Sequence, residues 1–550
     1  MKKKVLKRIL TGAIAIVMIF AFSSCTVIQL VSLMIFGNLF NDTPELTLEY
    51  TLKQEDLDEF NGLADKCEEL GMQGTNLFGL SSAMMDMNDF IEYINAQSTI
   101  GYLQYCMDQT DPTALDHYEE SETMYTSVRT RYLALLKKLA QESPIKDELF
   151  GDWSEEELKM LLVDHEKIGE IQLSNSELQR QFYELDEESE TWSADVAVLY
   201  EDLVEHNQAM AKEYDYANYY ELASDLIYGR KYTEQQRADF RGYVAEYIVP
   251  MYETLNARFE TVSQSLTTEQ RLEYKAIYSN RSYLDSYMGT FNDSICEKMN
   301  NMFTLPNAML YGTSENALQG AFTAYMGYFK QPITYFGPGY QDLYTIVHEL
   351  GHYTAYYYFD DSSLPYDLAE THSQGNEWLF TAYLKNEEYG KGNISSAVFE
   401  ALYLNNLVSS MRTVLYSTVV DHFEELVYTA KEPVKPTEYA TIMDSVCAQY
   451  EGLLEAVSDL RTPFAYAQYV TMTSPGYYLS YATSQIAAIG VYLVAEEHGY
   501  EKAVSVYTML QEGVDPETTF TEAITQVGLP GPFTEDTYKK LQNVFLKTNE

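Results

Sequence analysis

The 550-residue sequence has few positive charges, few cysteines and few chain-breaking residues. Lys and Arg number 36 against 83 Asp and Glu, and a formal net charge of −47 would repel nucleic-acid phosphates and anionic lipid. The 5 cysteines include no CxxC pair, which excludes a disulfide scaffold and a cysteine-based zinc site. Only 28 Gly and 15 Pro interrupt a chain that is 46% hydrophobic, so a disordered or low-complexity protein is excluded as well.

The N-terminus has the pattern of an export signal. Basic residues precede an uncharged apolar run at 9–22, and small residues then lead to Cys25. Residues 22–25 resemble the lipobox of bacterial lipoproteins, although Leu is more usual than Phe at position 22. The pattern predicts a lipoprotein-type signal peptide at 1–24, lipid attachment at Cys25 and a membrane-proximal tether or anchor at 25–44. Because residues 26–40 are again apolar, an uncleaved anchor over residues 9–40 is the alternative.

Either form of this N-terminus predicts a protein outside the cytoplasm, anchored to the outer face of a bacterial cell membrane. Such a location permits disulfide bonds among the cysteines that follow Cys25. Cys67 and Cys106 lie in the same N-terminal region and could pair. Free, buried thiols at all four positions are equally compatible with the sequence.

Beyond residue 45, apolar residues recur at intervals of three and four, which is typical of amphipathic helices. Clear examples are residues 124–139, 193–212, 235–259 and 397–428. Residues 320–336 are the exception, since two runs rich in β-branched and aromatic residues flank Lys330-Gln331. The sequence therefore predicts a mainly α fold with one small hairpin or sheet.

Directly after this predicted sheet, an apolar helical segment contains the pattern His348-Glu349-Leu350-Gly351-His352. Residues four apart share a helix face, so His348 and His352 can present two imidazole nitrogens to one metal ion. Glu349 lies about 100° further round the helix, where it can take a proton from a zinc-bound water. Imidazole and carboxylate ligands suit Zn²⁺, although manganese or cobalt would fit the same set.

A polar stretch downstream supplies the missing ligand. Glu370 and Glu377 are two helical turns apart and share a face, and two acids on one inward face are costly without a cation. Glu370 completes a His-His-Glu set, and Glu377 could orient one of the imidazoles. His372 is offset from Glu370 by about 200°, so we do not expect it to be a ligand.

Four segments together resemble the oligoendopeptidase F group of M3 metallopeptidases, which are relatives of thimet oligopeptidase. They are the strand pair and helix entry at 320–343, the motif at 348–352, the acidic segment at 368–377 and the tyrosine segment at 477–483. The resemblance implies two helical lobes around a deep substrate channel, with the sheet beside the motif helix. It also implies a zinc metallopeptidase domain at 191–550, preceded by an N-terminal helical region at 45–190.

The resemblance further implies one zinc ion per chain, bound by His348, His352 and Glu370, with Glu349 as general base and acid. It implies a tyrosine that donates a hydrogen bond to the oxyanion of the tetrahedral intermediate. Tyr481 is the first candidate for this donor, and the alternatives are Tyr477 and Tyr478.

The family often has a substrate-binding histidine upstream of its tyrosine segment, and this chain has none between residues 461 and 475. Arg461 or Tyr466 could take its place. The leading hypothesis is a zinc oligopeptidase that cleaves internal bonds of short peptides, which would lie along the strand at 320–326. A catalytically silent lipoprotein that captures peptides is the alternative, although capture alone does not require Glu349. A purely structural helical protein is the third hypothesis.

Overall fold

The computed structural model describes residues 44–546, except 152, 187–188, 280, 360–363, 387–393, 451–468 and 516–517. The N-terminal signal and tether, Cys25, Arg461 and Tyr466 therefore lie outside the described residues. The helices before the sheet are α1 (Gln54–Gln73), α2 (Leu77–Met107), α3 (Pro112–Glu142), α4 (Lys146–Phe150), α5 (Glu155–Leu161), α6 (His165–Glu184), α7 (Trp192–Glu213), α8 (Tyr219–Leu222), α9 (Glu234–Tyr243), α10 (Val249–Ser265), α11 (Thr268–Ser279), α12 (Ser282–Met288) and α13 (Asp293–Thr304).

Nine further helices follow the sheet within the described part of the chain. They are α14 (Leu343–Ala355), α15 (Tyr366–Lys385), α16 (Ser396–Tyr428), α17 (Tyr439–Ala448), α18 (Tyr469–Thr473), α19 (Tyr478–His498), α20 (Tyr500–Glu512), α21 (Phe520–Val527) and α22 (Glu535–Phe545). The segments Ala223–Ile227 and Val244–Ile248 are π-helical, and the second of them divides the helix predicted over 235–259.

A three-stranded mixed sheet lies directly before the motif helix α14. Its strands are β1 (Met309–Tyr311), β2 (Ala321–Met326) and β3 (Gln331–Phe336), in the order β1-β3-β2. β2 and β3 form the expected hairpin, with Thr323 opposite Thr334, and Lys330 adopts a left-handed conformation where the chain turns. The sequence analysis missed β1, which pairs parallel to β3 and has only three residues. β2 is an edge strand of this sheet.

The buried side chains form separate cores. One core belongs to the N-terminal helices and contains residues between Leu52 and Leu161. A larger one contains residues between Met160 and Phe545, and a third joins α2 to the sheet and includes Ile100, Ile333 and Tyr335. The structure confirms the predicted mainly α fold with one small sheet beside α14. A domain boundary at residue 190 stays a prediction.

One described helix, α19, is long and apolar enough to cross a membrane. Its most apolar window is 78% buried inside the protein, where it packs against α15, α16 and α20. Burial in the core therefore accounts for its apolar character. Cys67, Cys106, Cys296 and Cys447 are free thiols, so the predicted alternative of a Cys67–Cys106 disulfide is wrong.

The helices α14 and α15 touch through their backbones at Gly351. A Cβ atom built on Gly351 would lie 2.5 Å from the carbonyl oxygen of His372 and 2.8 Å from Cα of Ser373. Such distances are shorter than any side chain tolerates, so only glycine allows the two helices this separation. The separation in turn sets how far the side chains of α14 lie from those of α15.

Replacing Gly351 with Ala should destabilise the fold by about 1–3 kcal/mol, because α14 and α15 must move apart. The midpoint of chemical denaturation measures the effect. Gly375→Ala, on α15, is the matched control, since its Cβ would make ordinary contacts with the ring of Tyr507 at 3.4 Å and with the side chain of Val491 at 3.6 Å. Helix propensity favours alanine, so this control should be neutral or stabilising. An equal midpoint for the two variants would contradict the close contact at Gly351.

Candidate metal centre and active site

Helix α14 presents two histidines on one face, and Asp342, directly before its first residue, caps it. The carboxylate of Asp342 accepts hydrogen bonds from the backbone N–H groups of Tyr344 at 3.0 Å and Thr345 at 3.3 Å, which caps the helix. The rings of His348 and His352 lie 5.1 Å apart between centroids. Both imidazoles therefore face the same space beside the helix.

Glu370 reaches this space from α15. Its Oε2 lies 3.9 Å from Nε2 of His348 and 3.7 Å from Nε2 of His352. One ligand atom from each of the three residues lies within 4.8 Å of the others. Two imidazoles and one carboxylate, with no further protein ligand among the described residues, are the donor set of an open zinc site. The residues present therefore fit Zn²⁺.

Glu377, also on α15, holds one of the two imidazoles. Its Oε1 lies 2.7 Å from Nδ1 of His348, which leaves Nε2 of that ring free to face Glu370. Burial lowers the pKa of His348, but the hydrogen bond and charge of Glu377, together with the charges of Glu349 and Glu370, raise it to about 9. The negative charges of three carboxylates around this imidazole therefore favour a positive charge at this position.

Glu349 lies beside the ligand set and is not part of it. The residue is 3% exposed, and its Oε2 accepts a hydrogen bond of 2.7 Å from the hydroxyl of Thr323 on β2. Burial raises the pKa of Glu349 to about 7, against the opposing effects of His348 and of the Thr323 hydrogen bond. A carboxyl group with its pKa near neutrality is suited to exchange protons with a substrate.

The three candidate tyrosines occupy different surroundings. Tyr477 and Tyr481 line the same cleft as Glu349, and their rings contact each other edge to face at 5.1 Å. Tyr477 donates a short hydrogen bond to Oε1 of Glu370. The ring of Tyr478 packs against Tyr416 instead, at 5.8 Å. Burial raises the pKa of Tyr477 and Tyr481 well above the ordinary value, so both hydroxyls keep their protons and can donate.

His372 lies outside the ligand set. Its Nε2 is 3.1 Å from the carbonyl oxygen of Leu510, and its ring stacks on Phe359. Burial lowers the pKa of His372 to about 4, so this imidazole is neutral. The residue joins α15 to α20 within the core.

The three candidate ligands, His348, His352 and Glu370, line a cleft with a volume of about 370 Å³. Tyr102 of α2 and residues 318–323 around β2 form one side of this cleft, and residues 470–481 form another. Its apolar and aromatic lining includes Leu318, Phe322, Tyr356, Leu364, Tyr366 and Val470. The described residues that line the cleft include no lysine or arginine.

Sequence reasoning missed two features near the site. Thr323 falls within the predicted strand, but nothing in a strand pattern shows that its hydroxyl meets Glu349. Arg230 and Asp367 form a buried ion pair, with Nε and Oδ2 at 3.2 Å, although the two residues are far apart in sequence. A buried Arg gives no local signal in the sequence, because charged residues recur throughout this chain.

Among the known proteins compared with this chain, only solved structures match it. No family model and no curated protein sequence matches the chain. An oligoendopeptidase F from Bacillus anthracis superposes with a TM-score of 0.67 at 16% identity, over 92% of this chain and 99% of that one. PZ peptidase A in complex with an inhibitor gives a TM-score of 0.65 at 17% identity, over 94% of this chain and 100% of that one.

Oligoendopeptidase F from Enterococcus faecium is more distant, with a TM-score of 0.52 at 13% identity, over 90% of this chain and 97% of that one. In each case the likeness extends over nearly the whole of both chains. Identities this low establish the architecture and not the activity. The chain has the fold of the oligoendopeptidase F structures.

Proposed function

We propose that the protein is a zinc-dependent peptidase that hydrolyses internal bonds of short peptides. The observation that carries the proposal is the convergence of His348, His352 and Glu370, with Glu349 beside them, in a cleft of about 370 Å³. The oligoendopeptidase fold supports the same conclusion, since the similar structures are peptidases by their names. The membership of the M3 family implied by the sequence motifs is part of this proposal.

The edge strand β2 provides the binding surface for the peptide. One edge of β2 pairs with β3 and the other is unpaired within the described sheet, and Ala321, Phe322 and Thr323 of this strand line the cleft. An extended peptide can add to this edge through main-chain hydrogen bonds, which do not depend on its sequence. This binding mode therefore selects for an extended backbone rather than for one particular side chain.

The chemistry follows from the residues around the bound peptide bond. A zinc ion held by His348, His352 and Glu370 would lower the pKa of a bound water and polarise the substrate carbonyl. Glu349 removes a proton from the attacking water and delivers it to the leaving amine nitrogen, so one carboxyl group serves as base and then as acid. Tyr481 donates a hydrogen bond to the developing oxyanion. Glu377 keeps the His348 ring in its orientation.

Glu349→Gln should lower kcat by about 10²–10⁴-fold while the bound zinc is retained, because an amide cannot accept the proton. An internally quenched peptide assayed with the purified chain from residue 41 onward measures kcat, and elemental analysis measures zinc. Glu297→Gln, an exposed glutamate on α13, is the matched control and should leave both values unchanged. Full activity of Glu349→Gln would eliminate Glu349 as the base. Tight peptide binding without hydrolysis by the unmodified protein would favour peptide capture.

Glu370→Ala should lose most of its zinc, because two imidazoles alone leave the site without a third ligand. Elemental analysis after dialysis against a weak chelator tests this. Glu377→Ala provides the comparison, and its affinity for zinc should fall by only about 10–100-fold, as is usual for a residue that orients a ligand. Chelator should abolish hydrolysis by the unmodified protein, and added zinc should restore it. An unchanged zinc content in Glu370→Ala would assign the third ligand to another residue.

We also propose that the protein is a lipoprotein on the outer face of a bacterial membrane, which rests on the N-terminal sequence pattern alone. Cells fed a clickable palmitate analogue should label the unmodified chain and the control Cys67→Ala, but not Cys25→Ala. An unlabelled wild-type chain that stays in the membrane fraction would instead support the uncleaved anchor at residues 9–40.

A further inference from the structure

The two carboxylate oxygens of Glu370 have different partners. Oε2 faces Nε2 of His348 and of His352 and also lies 3.2 Å from the hydroxyl of Ser373. Oε1 accepts the hydrogen bond from Tyr477. The hydroxyl of Tyr477 therefore holds one oxygen and leaves the other directed at the imidazoles.

Tyr477 itself has little freedom to move. It is 5% exposed, and its ring lies between those of Tyr228, Tyr366 and Tyr481, at centroid distances of 5.8, 5.6 and 5.1 Å. The preceding residue, Gly476, has a left-handed φ of 82°, so the chain makes a sharp turn immediately before Tyr477.

The guanidinium of Arg230 fixes this turn. It donates to the carbonyl oxygens of Gly476 at 2.7 Å and Tyr477 at 2.9 Å, and to the hydroxyl of Ser480 at 2.6 Å. Its Nε is 3.2 Å from the carboxylate of Asp367, which lies one turn before Glu370 on α15. The side chains of Arg230 and Asp367 are 1% and 0% exposed. One buried cation thus connects the backbone of Tyr477 to the helix that carries Glu370.

We propose that Tyr477 and Arg230 are positioning residues for the third metal ligand. Arg230 sets the backbone of Tyr477 relative to α15, and Tyr477 orients Glu370 so that Oε2 points at the two imidazoles. This inference rests on the zinc site of the proposed function. It assigns Tyr477 a role different from the one expected from the sequence, where it was an alternative oxyanion donor.

A tyrosine hydroxyl has one proton to donate. While Tyr477 donates to Glu370, it has no proton for an oxyanion, and that role is left to Tyr481 on the next turn of the chain. Tyr481 lines the cleft and has no hydrogen bond to Glu370 among the described contacts. Tyr477 therefore orients the metal ligand Glu370, and Tyr481 donates to the oxyanion. An experiment can separate these two roles.

Zinc affinity and turnover are measured on matched variants that each remove one hydroxyl. Competition with a fluorescent zinc chelator gives the Kd for zinc, which does not depend on activity. Tyr477→Phe should raise this Kd by about 10–100-fold, the usual effect of losing a residue that orients a ligand. Tyr481→Phe should lower kcat by about 10²–10³-fold and leave the Kd for zinc unchanged. At saturating zinc, the kcat of Tyr477→Phe should fall by less than this. Tyr478→Phe is the control and should keep the Kd of the unmodified protein.

Arg230→Lys extends the test to the ion pair. A lysine retains the positive charge, but its single ammonium cannot reach Asp367 and both carbonyl oxygens in the planar geometry of a guanidinium. The Kd for zinc should rise as it does in Tyr477→Phe, and combining both substitutions should add little further loss. If Arg230→Lys does not fold, the comparison of the tyrosine variants still decides the assignment of Tyr477.

Two results would overturn the inference. One is a Kd for zinc in Tyr477→Phe equal to that of the unmodified protein, with kcat lost, which would make Tyr477 the oxyanion donor. The other is an additive loss of zinc affinity when Arg230→Lys and Tyr477→Phe are combined, which would show that they act separately. Failure of the proposed function gives a different result, namely an unmodified protein that binds zinc without hydrolysing peptide or binds no zinc.

Discussion

The contact between the backbones of α14 and α15 at Gly351 is the constraint on which the candidate site depends. Two histidines lie on one helix and two acids on the other, so the interhelical distance determines whether their ligand atoms converge. The carbonyl oxygen of His372 lies only 2.5 Å from the position of a Cβ atom at residue 351, which is too close for any side chain. Gly351 therefore determines the geometry of the site through the separation of the two helices, although it supplies no atom to the metal.

Electrostatic interactions explain how three glutamates can lie together around one histidine. Glu349, Glu370 and Glu377 surround His348, and burial shifts the pKa of Glu370 upward in the same way as that of Glu349. A divalent cation held among these groups would compensate their charge, so folding and metal binding would favour the same arrangement. The Arg230–Asp367 pair achieves a similar balance without a metal, because the carbonyl oxygens and hydroxyls around it satisfy the remaining hydrogen bonds.

Much of this arrangement follows from helical periodicity. The spacing of His348 and His352, and that of Glu370 and Glu377, predicts which side chains share a face, and the three metal-binding candidates do converge. Periodicity carries no information about contacts between distant segments, so Arg230, Thr323 and the parallel strand β1 were not predicted. It also could not separate Tyr477 from Tyr481, since both lie on one short segment and only the position of Glu370 distinguishes them. The disulfide alternative failed for the same reason, because proximity in sequence does not imply proximity of sulfur atoms.

The free thiols give the protein a property that the rest of the fold does not suggest. Cys67, Cys106 and Cys447 are buried, and none of the described cysteines forms a cross-link. Within the described part of the chain, the fold therefore depends on the packing of its helices and on no disulfide bond.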